Sequence, residues 1–258
     1  DPYEDIYTNL FMALNYASQG NIESAFVEIR RFDNKQKELS LTYQGAIQEA
    51  KNQVAAGNDF SGNVEFHNSA LARYISMLLY RSEGMLDSAE IDYKYMQSAF
   101  ATQSSIYDFP IPSSVKDELS VPGGKGRLNV LSFTGLAPVK YEEIVRYATG
   151  DTYFKLAIPV MQKRNSAVHS IEVEILSYDT GVTNTMRLEK IESIENIALD
   201  TFKQKQALLY IKAVARALAK ATTTAIFDDQ AGRHGGEVGL LFSVLKIASA
   251  VSNEVTEK

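Results

Sequence analysis

The residues best placed to bind an anion form a glycine-rich stretch near the C-terminal end. Gly232-Arg233-His234-Gly235-Gly236 precedes a predicted helix. Free N–H groups and the helix dipole favour an anion at a helix N-terminus, and Arg233 and His234 would add positive charge. The pattern favours a glycine-rich loop between two helices. The alternative interpretation is a small-ligand contact at Arg233, His234, Gly235 and Gly236.

Residue types used in catalysis do not form a motif in this sequence. The chain has no cysteine, which excludes a thiol nucleophile, Cys-ligated zinc and a disulfide framework. Its histidines, His67, His169 and His234, are far apart and form no HExxH or Ser-His-Asp order. Two acid pairs, Asp228-Asp229 and Glu172/Glu174, are typical of solvated positions. We therefore predict no catalytic residue, no metal site and no cofactor.

Gly123-Gly124-Lys125-Gly126 looks superficially like a phosphate-binding loop. A P-loop needs a preceding strand, a Ser or Thr after the lysine motif and a following helix. Here a proline-rich stretch precedes it and no Ser or Thr follows Lys125. The pattern favours a flexible linker.

The composition predicts a globular protein that does not bind nucleic acid. Apolar residues make up 45% of the chain and charged residues 22%, and the net charge is −6. This acidic balance disfavours a phosphate backbone as partner. The most apolar predicted helix, Ala207–Phe227, carries three cationic side chains, so we predict no membrane span.

One pattern occurs twice in the first hundred residues. Tyr16, Gly20 and Ala25 recur with the same spacing 64 residues later as Tyr80, Gly84 and Ala89. The glycine allows a tight left-handed turn, and the tyrosine and alanine fit the space between two helices. This spacing is typical of a tetratricopeptide (TPR) helix–turn–helix, and it predicts a TPR-like array with an odd helix.

Apolar periodicity predicts an all-α domain over residues 1–105. The predicted helices cover residues 2–18, 22–33, 35–56, 63–80 and 86–100. Met77, Met85 and Met96 are predicted core residues. Tyrosines on concave helices can anchor a bound peptide, and they can also fill the core. We predict that a partner groove is lined by Tyr7, Asn9, Asn15, Tyr43 and Tyr74.

The sequence after residue 105 predicts a linker over residues 106–126, which are rich in Pro and Gly. It predicts an α+β domain over residues 127–258. Predicted strands cover 127–134, 153–160, 171–175 and 182–191, with Met186 and Leu188 facing inward. A short helix is predicted at 141–148, and two long helices at 194–226 and 237–255. The fold class is α+β: a helical array followed by an antiparallel sheet with two long helices.

Residues 11–31, FMALNYASQGNIESAFVEIRR, together with Leu136-Ala137-Pro138-Val139-Lys140, resemble a family of bacterial cell-envelope lipoproteins. The resemblance implies a TPR-like N-terminal half, an α+β C-terminal half and no catalytic residues. It also implies a periplasmic protein attached to the outer membrane only by a lipid on a Cys upstream of Asp1. We expect a mature form whose signal has been removed, and members of the family usually continue past the position that corresponds to Lys258.

Three functions remain open at this point. The first is a non-catalytic envelope scaffold that binds protein partners through the helical groove. The second is a regulator of peptidoglycan synthesis that binds a synthase. The third, from a different class, is a small-ligand-binding protein or enzyme that uses the Gly232–Gly236 loop.

Overall fold

A computed structural model describes residues 2–53, 69–122, 124–149, 152–203 and 205. These residues form helices and two small antiparallel sheets, which confirms the α+β class. The chain divides into two compact units. Unit 1 comprises Asp1–Leu41, Glu65–Ala137 and Asn165–Asp200, and unit 2 comprises Thr42–Val64, Pro138–Arg164 and Thr201–Lys258. This division differs from the predicted domains, because the predicted linker and part of the predicted second domain belong to unit 1.

The first four helices are α1 (Pro2–Ser18), α2 (Ile22–Gln53), α3 (Ala70–Ser82) and α4 (Leu86–Thr102). α1 confirms its predicted bounds, and α4 ends two residues later than predicted. α2 is one continuous helix, so the prediction of a break near residue 34 was wrong. Polar residues there suggested an end, but no Gly or Pro interrupts the helix at that point.

The two repeated turns have the same backbone structure. Gly20 and Gly84 both adopt positive φ, +74° and +71°. After them, the Asn21 N–H donates to the Tyr16 carbonyl and the Met85 N–H to the Tyr80 carbonyl, each at 2.9 Å. This bond, from a residue just past the helix to the carbonyl five positions earlier, belongs to the Schellman turn. The structure thus contains two matching helix–turn–helix hairpins, and a wider TPR-like array stays a prediction.

Apolar side chains of the four helices form much of the core of unit 1. Ala25 and Ala89, the small residues of the repeat, are fully buried. The prediction of core methionines is confirmed for Met77 and Met96 and is wrong for Met85, which is 50% exposed. Met85 lies directly after the turn glycine, where its side chain points away from the hairpin core.

α3 begins later than predicted, because Ser69 is its N-cap. The Ser69 Oγ accepts a hydrogen bond from the Ala72 N–H at 3.1 Å, as N-cap serines do. After α4, Ile106 and Tyr107 are buried, and a 3-10 helix follows at Ser113–Ser120. The stretch predicted as a linker is therefore a packed part of unit 1.

Residues 127–134 do not form the predicted strand. Unit 1 instead contains a hairpin of β3 (Glu172–Leu176) and β4 (Thr183–Arg187), which pairs Val173 with Met186. β3 confirms its prediction, and β4 is shorter than predicted. Met186 is 56% exposed, so the prediction that it faces inward was wrong.

Unit 2 contains a longer antiparallel hairpin of β1 (Val139–Thr149) and β2 (Thr152–Gln162). β2 confirms its predicted strand, whereas the helix predicted at 141–148 is β1. The side chains of Ile158, Val160 and Met161 are buried. The two sheets are separate and belong to different units, which corrects the prediction of one sheet covered by two helices.

A fifth helix, α5, begins at residue 194 as predicted and is described through residue 203. The rest of that predicted helix, and the helix predicted at 237–255, lie outside the described residues. No helix in the described part of the chain is long and apolar enough to cross a membrane.

Candidate functional site

Three of the five predicted groove residues are buried, two of them on α1. The Tyr7 ring packs edge-on against Phe32 of α2, with the ring centroids 6.0 Å apart. The Tyr7 hydroxyl lies 3.4 Å from the Ser69 Oγ, to which it donates. The Asn9 amide donates to the carboxylate of Glu28, which is also buried. Both side chains make buried contacts between helices, so neither is accessible to a partner.

Tyr74 on α3 is the third buried residue. Its hydroxyl donates to the Glu118 Oε1 at 3.2 Å and accepts from the Asn129 amide at 2.8 Å. Burial, followed by the negative charge of Glu118, raises the pKa of Tyr74 above its ordinary value. The phenol therefore remains protonated as a structural donor.

The Glu118 carboxylate receives hydrogen bonds from two guanidinium groups. Arg127 Nε donates to its Oε1 at 2.7 Å, and Arg81 Nη1 donates to its Oε2. The Asn129 amide also donates to Oε1. Glu118 is 1% exposed, so its charge is costly without such partners. This cluster joins α3, the 3-10 helix and the segment after it.

A second ion cluster is centred on Arg73 of α3. Its guanidinium lies 2.7 Å from Asp33 of α2 and 3.1 Å from Asp92 of α4, and 4.9 Å from the centroid of the Tyr95 ring. Burial raises the pKa of Asp92, and the Ser76 hydrogen bond and the Arg73 charge oppose that rise. The three helices are thereby joined through one cation.

The first turn of α3 binds a carboxylate from a distant part of the chain. The Glu192 carboxylate accepts from the Ser69 hydroxyl at 2.7 Å, from the Leu71 N–H at 2.9 Å and from the Tyr107 hydroxyl at 3.2 Å. The Tyr107 oxygen in turn accepts from the Ala70 N–H at 2.8 Å. The N–H groups that a helix start leaves free are therefore satisfied.

Burial changes the protonation of this carboxylate. It raises the pKa of Glu192 to about 8, although the N–H groups of Leu71 and Ala70 favour the charged form. Burial also raises the pKa of Tyr107. Glu192 therefore titrates far above an ordinary glutamate, while Tyr107 keeps its proton.

Glu192 belongs to a segment, residues 189–200, that we call the strap. The strap follows β4 and contacts the residues after α4 through several side chains. Other residues also hold it. Glu189 accepts from Ser113 at 3.0 Å, and Lys190 lies 4.6 Å from the Phe109 ring centroid. Asn196 donates to the Ile106 carbonyl at 2.9 Å, and Ser105 donates to Asp200 at 3.1 Å.

Unit 1 exposes a group of mainly apolar residues that includes two phenylalanine rings. Phe11 and Phe133 are 49% and 53% exposed, and their ring centroids are 5.1 Å apart. Met12 is also exposed, and Asn15, a predicted groove residue, is exposed one turn after Phe11 on α1. We call Phe11, Met12, Asn15 and Phe133 the Phe11 surface. Tyr43, the fifth predicted groove residue, lies in α2, and a partner-binding role for it stays a prediction.

The remaining predicted site residues either lie outside the described residues or are exposed. Arg233, His234, Gly235 and Gly236 lie outside the described residues, as do Asp228 and Asp229. Glu172 and Glu174 are exposed on β3, as predicted. Among the residues that the structure describes, no group of three potential ligands could hold a metal ion.

Sequence reasoning missed Glu118 and Glu192. Other carboxylates lie close to both in the sequence, Asp117 beside Glu118 and Glu189 and Glu195 near Glu192, and nothing in these stretches predicts which one is buried. Ser69 could have been found, because a serine directly before the apolar run Ala70-Leu71-Ala72 is an N-cap signal.

Comparison of the chain with protein-family models, with curated proteins and with solved structures gave no match.

Proposed function

We propose that this protein is a non-catalytic scaffold of the bacterial cell envelope that binds a protein partner through its helical hairpins. The observation that carries the proposal is the duplicated helix–turn–helix, with matching turns at Gly20 and Gly84. Repeated helical hairpins of the TPR type present extended surfaces to peptides. The envelope location is supported by the resemblance in residues 11–31 and 136–140.

The Phe11 surface is the contact that we assign to the partner. Aromatic side chains dominate the binding energy of many interfaces, and two partly exposed rings lie against each other here, tilted by 57°. Asn15 adds an amide that can hydrogen-bond to a peptide. Tyr7 and Asn9 hold α1 against α2 and the start of α3.

Contacts of the buried ionisable groups support a non-catalytic role. Glu118 is neutralised by two arginines, Asp92 is paired with Arg73, and Glu192 is bound by a helix start. Structural ion-pair networks perturb pKa values as catalytic sites do. Burial raises the pKa values of Asp92 and Glu192, and both carboxyl groups contact other groups of this protein.

The test is capture of a partner from envelope extract by the full chain and by two variants. F11S removes a ring from the Phe11 surface, and I91S is the matched control, because Ile91 is an equally exposed apolar residue on α4. We expect I91S to retain the partner and F11S to weaken it by about tenfold or more, measured next with the purified partner. Equal affinity of all three proteins would contradict the assignment.

Point variants test the proposal better than deletion of residues 1–105. Unit 1 includes residues up to Asp200, and Glu192 and Tyr107 cap α3 from outside that range. Deletion would therefore disrupt unit 1 as well as remove the surface.

A further inference from the structure

We propose that residues 127–134, which we call the edge segment, pair as a β-strand with the same segment of a second copy of this chain. The pairing is antiparallel across a two-fold axis, the commonest symmetry of protein dimers. This inference does not rest on the proposed function, because it concerns the backbone of the edge segment and not partner binding by the Phe11 surface.

The edge segment has the side-chain pattern of a strand. It contains no helix, turn or bend, and the first bend after it is at Gly135. The odd-numbered residues from 127 to 131 are half-buried, and the even-numbered residues from 128 to 132 are exposed. This period of two is that of a β-strand with one face on the protein and one face in water.

The backbone N–H and C=O groups of the edge segment are available for pairing. None of them bonds to the backbone of another described residue. A row of such groups along an extended segment is a template for another strand. A second polypeptide strand supplies the alternating donors and acceptors that this row requires, which a lipid surface or a small anion does not.

Side-chain contacts hold the edge segment on unit 1 at both of its ends. Arg127 Nε donates to the buried Glu118 carboxylate at 2.7 Å, and the Asn129 amide donates to the same carboxylate. At the other end, the Phe133 ring centroid lies 5.1 Å from that of Phe11. A segment positioned in this way loses less conformational entropy when a second strand is added.

The sequence of the edge segment suits pairing with itself. No charged residue occurs from Leu128 to Val139, and strand edges that stay unpaired commonly carry charges or Pro. Arg127 is the one charged residue of the segment, and its charge is balanced by Glu118 of its own copy. In an antiparallel pair, Leu128 and Val130, which are 72% and 41% exposed, lie beside exposed residues of the other copy without meeting a like charge.

Sedimentation velocity of the full chain tests the pairing. It is measured from micromolar to near-millimolar concentrations at physiological salt, which screens the net charge of −6 on each copy. We expect a monomer–dimer equilibrium. V130K brings two cations close together across the axis and should raise the dissociation constant by about tenfold or more. I91K is the matched control, because Ile91 is a similarly exposed apolar residue on α4, and it should associate like the wild-type chain.

Amide hydrogen exchange distinguishes strand pairing from other contacts between copies. At high concentration, every second amide of the edge segment should exchange more slowly than in dilute solution, because an antiparallel neighbour bonds to alternate residues. A wild-type chain that stays monomeric overturns the proposal, and so does a dimer that V130K does not weaken or that leaves these amides unprotected. Protection of the amides only by a different purified protein would assign the edge segment to a foreign strand and would also overturn pairing between copies.

Discussion

Glu118 shows how one buried carboxylate links several segments of the chain. Two guanidinium groups, from Arg81 and Arg127, converge on it from different segments. If the negative charge is removed, two cations are left facing each other in a place with little water. Removal of one member of a buried ion cluster is costly for this reason.

We expect E118Q to lower the free energy of unfolding by about 3 kcal/mol, because it removes the buried anion that both arginines contact. Urea denaturation measures the change. The neighbouring D117N is the control: Asp117 is largely exposed and lies 3.9 Å from Arg127, so we expect a change within about 0.5 kcal/mol. Equal destabilisation by the two variants would contradict the role of Glu118.

Tyr74 permits a separate test of a predicted groove residue. Y74F keeps the ring and removes the hydroxyl that links Glu118 and Asn129. We expect the free energy of unfolding to fall by about 1–2 kcal/mol, because two buried partners lose one hydrogen bond each. Partner capture should not change, since Tyr74 is buried. Loss of capture with unchanged stability would instead indicate that Tyr74 binds the partner.

At the scale of the element, the repeated turns depend on backbone conformation. Gly84 has φ +71°, and no atom lies within 4 Å of the position of an added Cβ. G84A should therefore destabilise through backbone strain alone, by about 1 kcal/mol. G45A is the control, and we expect the opposite effect from it. Gly45 lies inside α2, where alanine is favoured over glycine, so G45A should raise the free energy of unfolding by about 0.5–1 kcal/mol. Thermal unfolding of both variants measures the difference, and stabilisation by G84A would contradict the account.

Local sequence patterns predicted the elements that depend on local contacts. The bounds of α1 and the two glycine turns follow from apolar spacing and from the conformational freedom of glycine. β1 was predicted as a helix because Tyr141–Ala148 contains good helix formers. Its pairing with β2 along its whole length outweighs that propensity. The pair Gly150-Asp151 between the two strands was a hairpin signal in the sequence.

The candidate site was less predictable than the helices. The spacing of tyrosines cannot distinguish a buried ring, such as Tyr7, from an exposed one. The burial of Glu192 depends on Leu71, which lies 121 residues earlier in the chain. Periodicity and capping rules operate over a few residues, so neither predicts this contact.

At the scale of the whole molecule, unit 1 is assembled from three separated stretches of chain. A chain truncated after Ala137 would lack the strap and leave the α3 start without Glu192. We expect it to unfold at a lower temperature than the full chain, as followed by circular dichroism. A chain ending at residue 105 would also lack Glu118 and should be less stable again. An unchanged midpoint for the shorter fragment would indicate that residues 1–105 fold as an independent domain.

The distance in sequence between Leu71 and Glu192 also has a consequence for synthesis. A ribosome that adds about 5–20 residues per second needs roughly 6–24 s to make the 121 residues that separate them. During that interval the nascent α3 has its own Ser69 cap but no carboxylate from the strap. The helical hairpins therefore emerge first, and unit 1 reaches its final stability only after the strap has been translated.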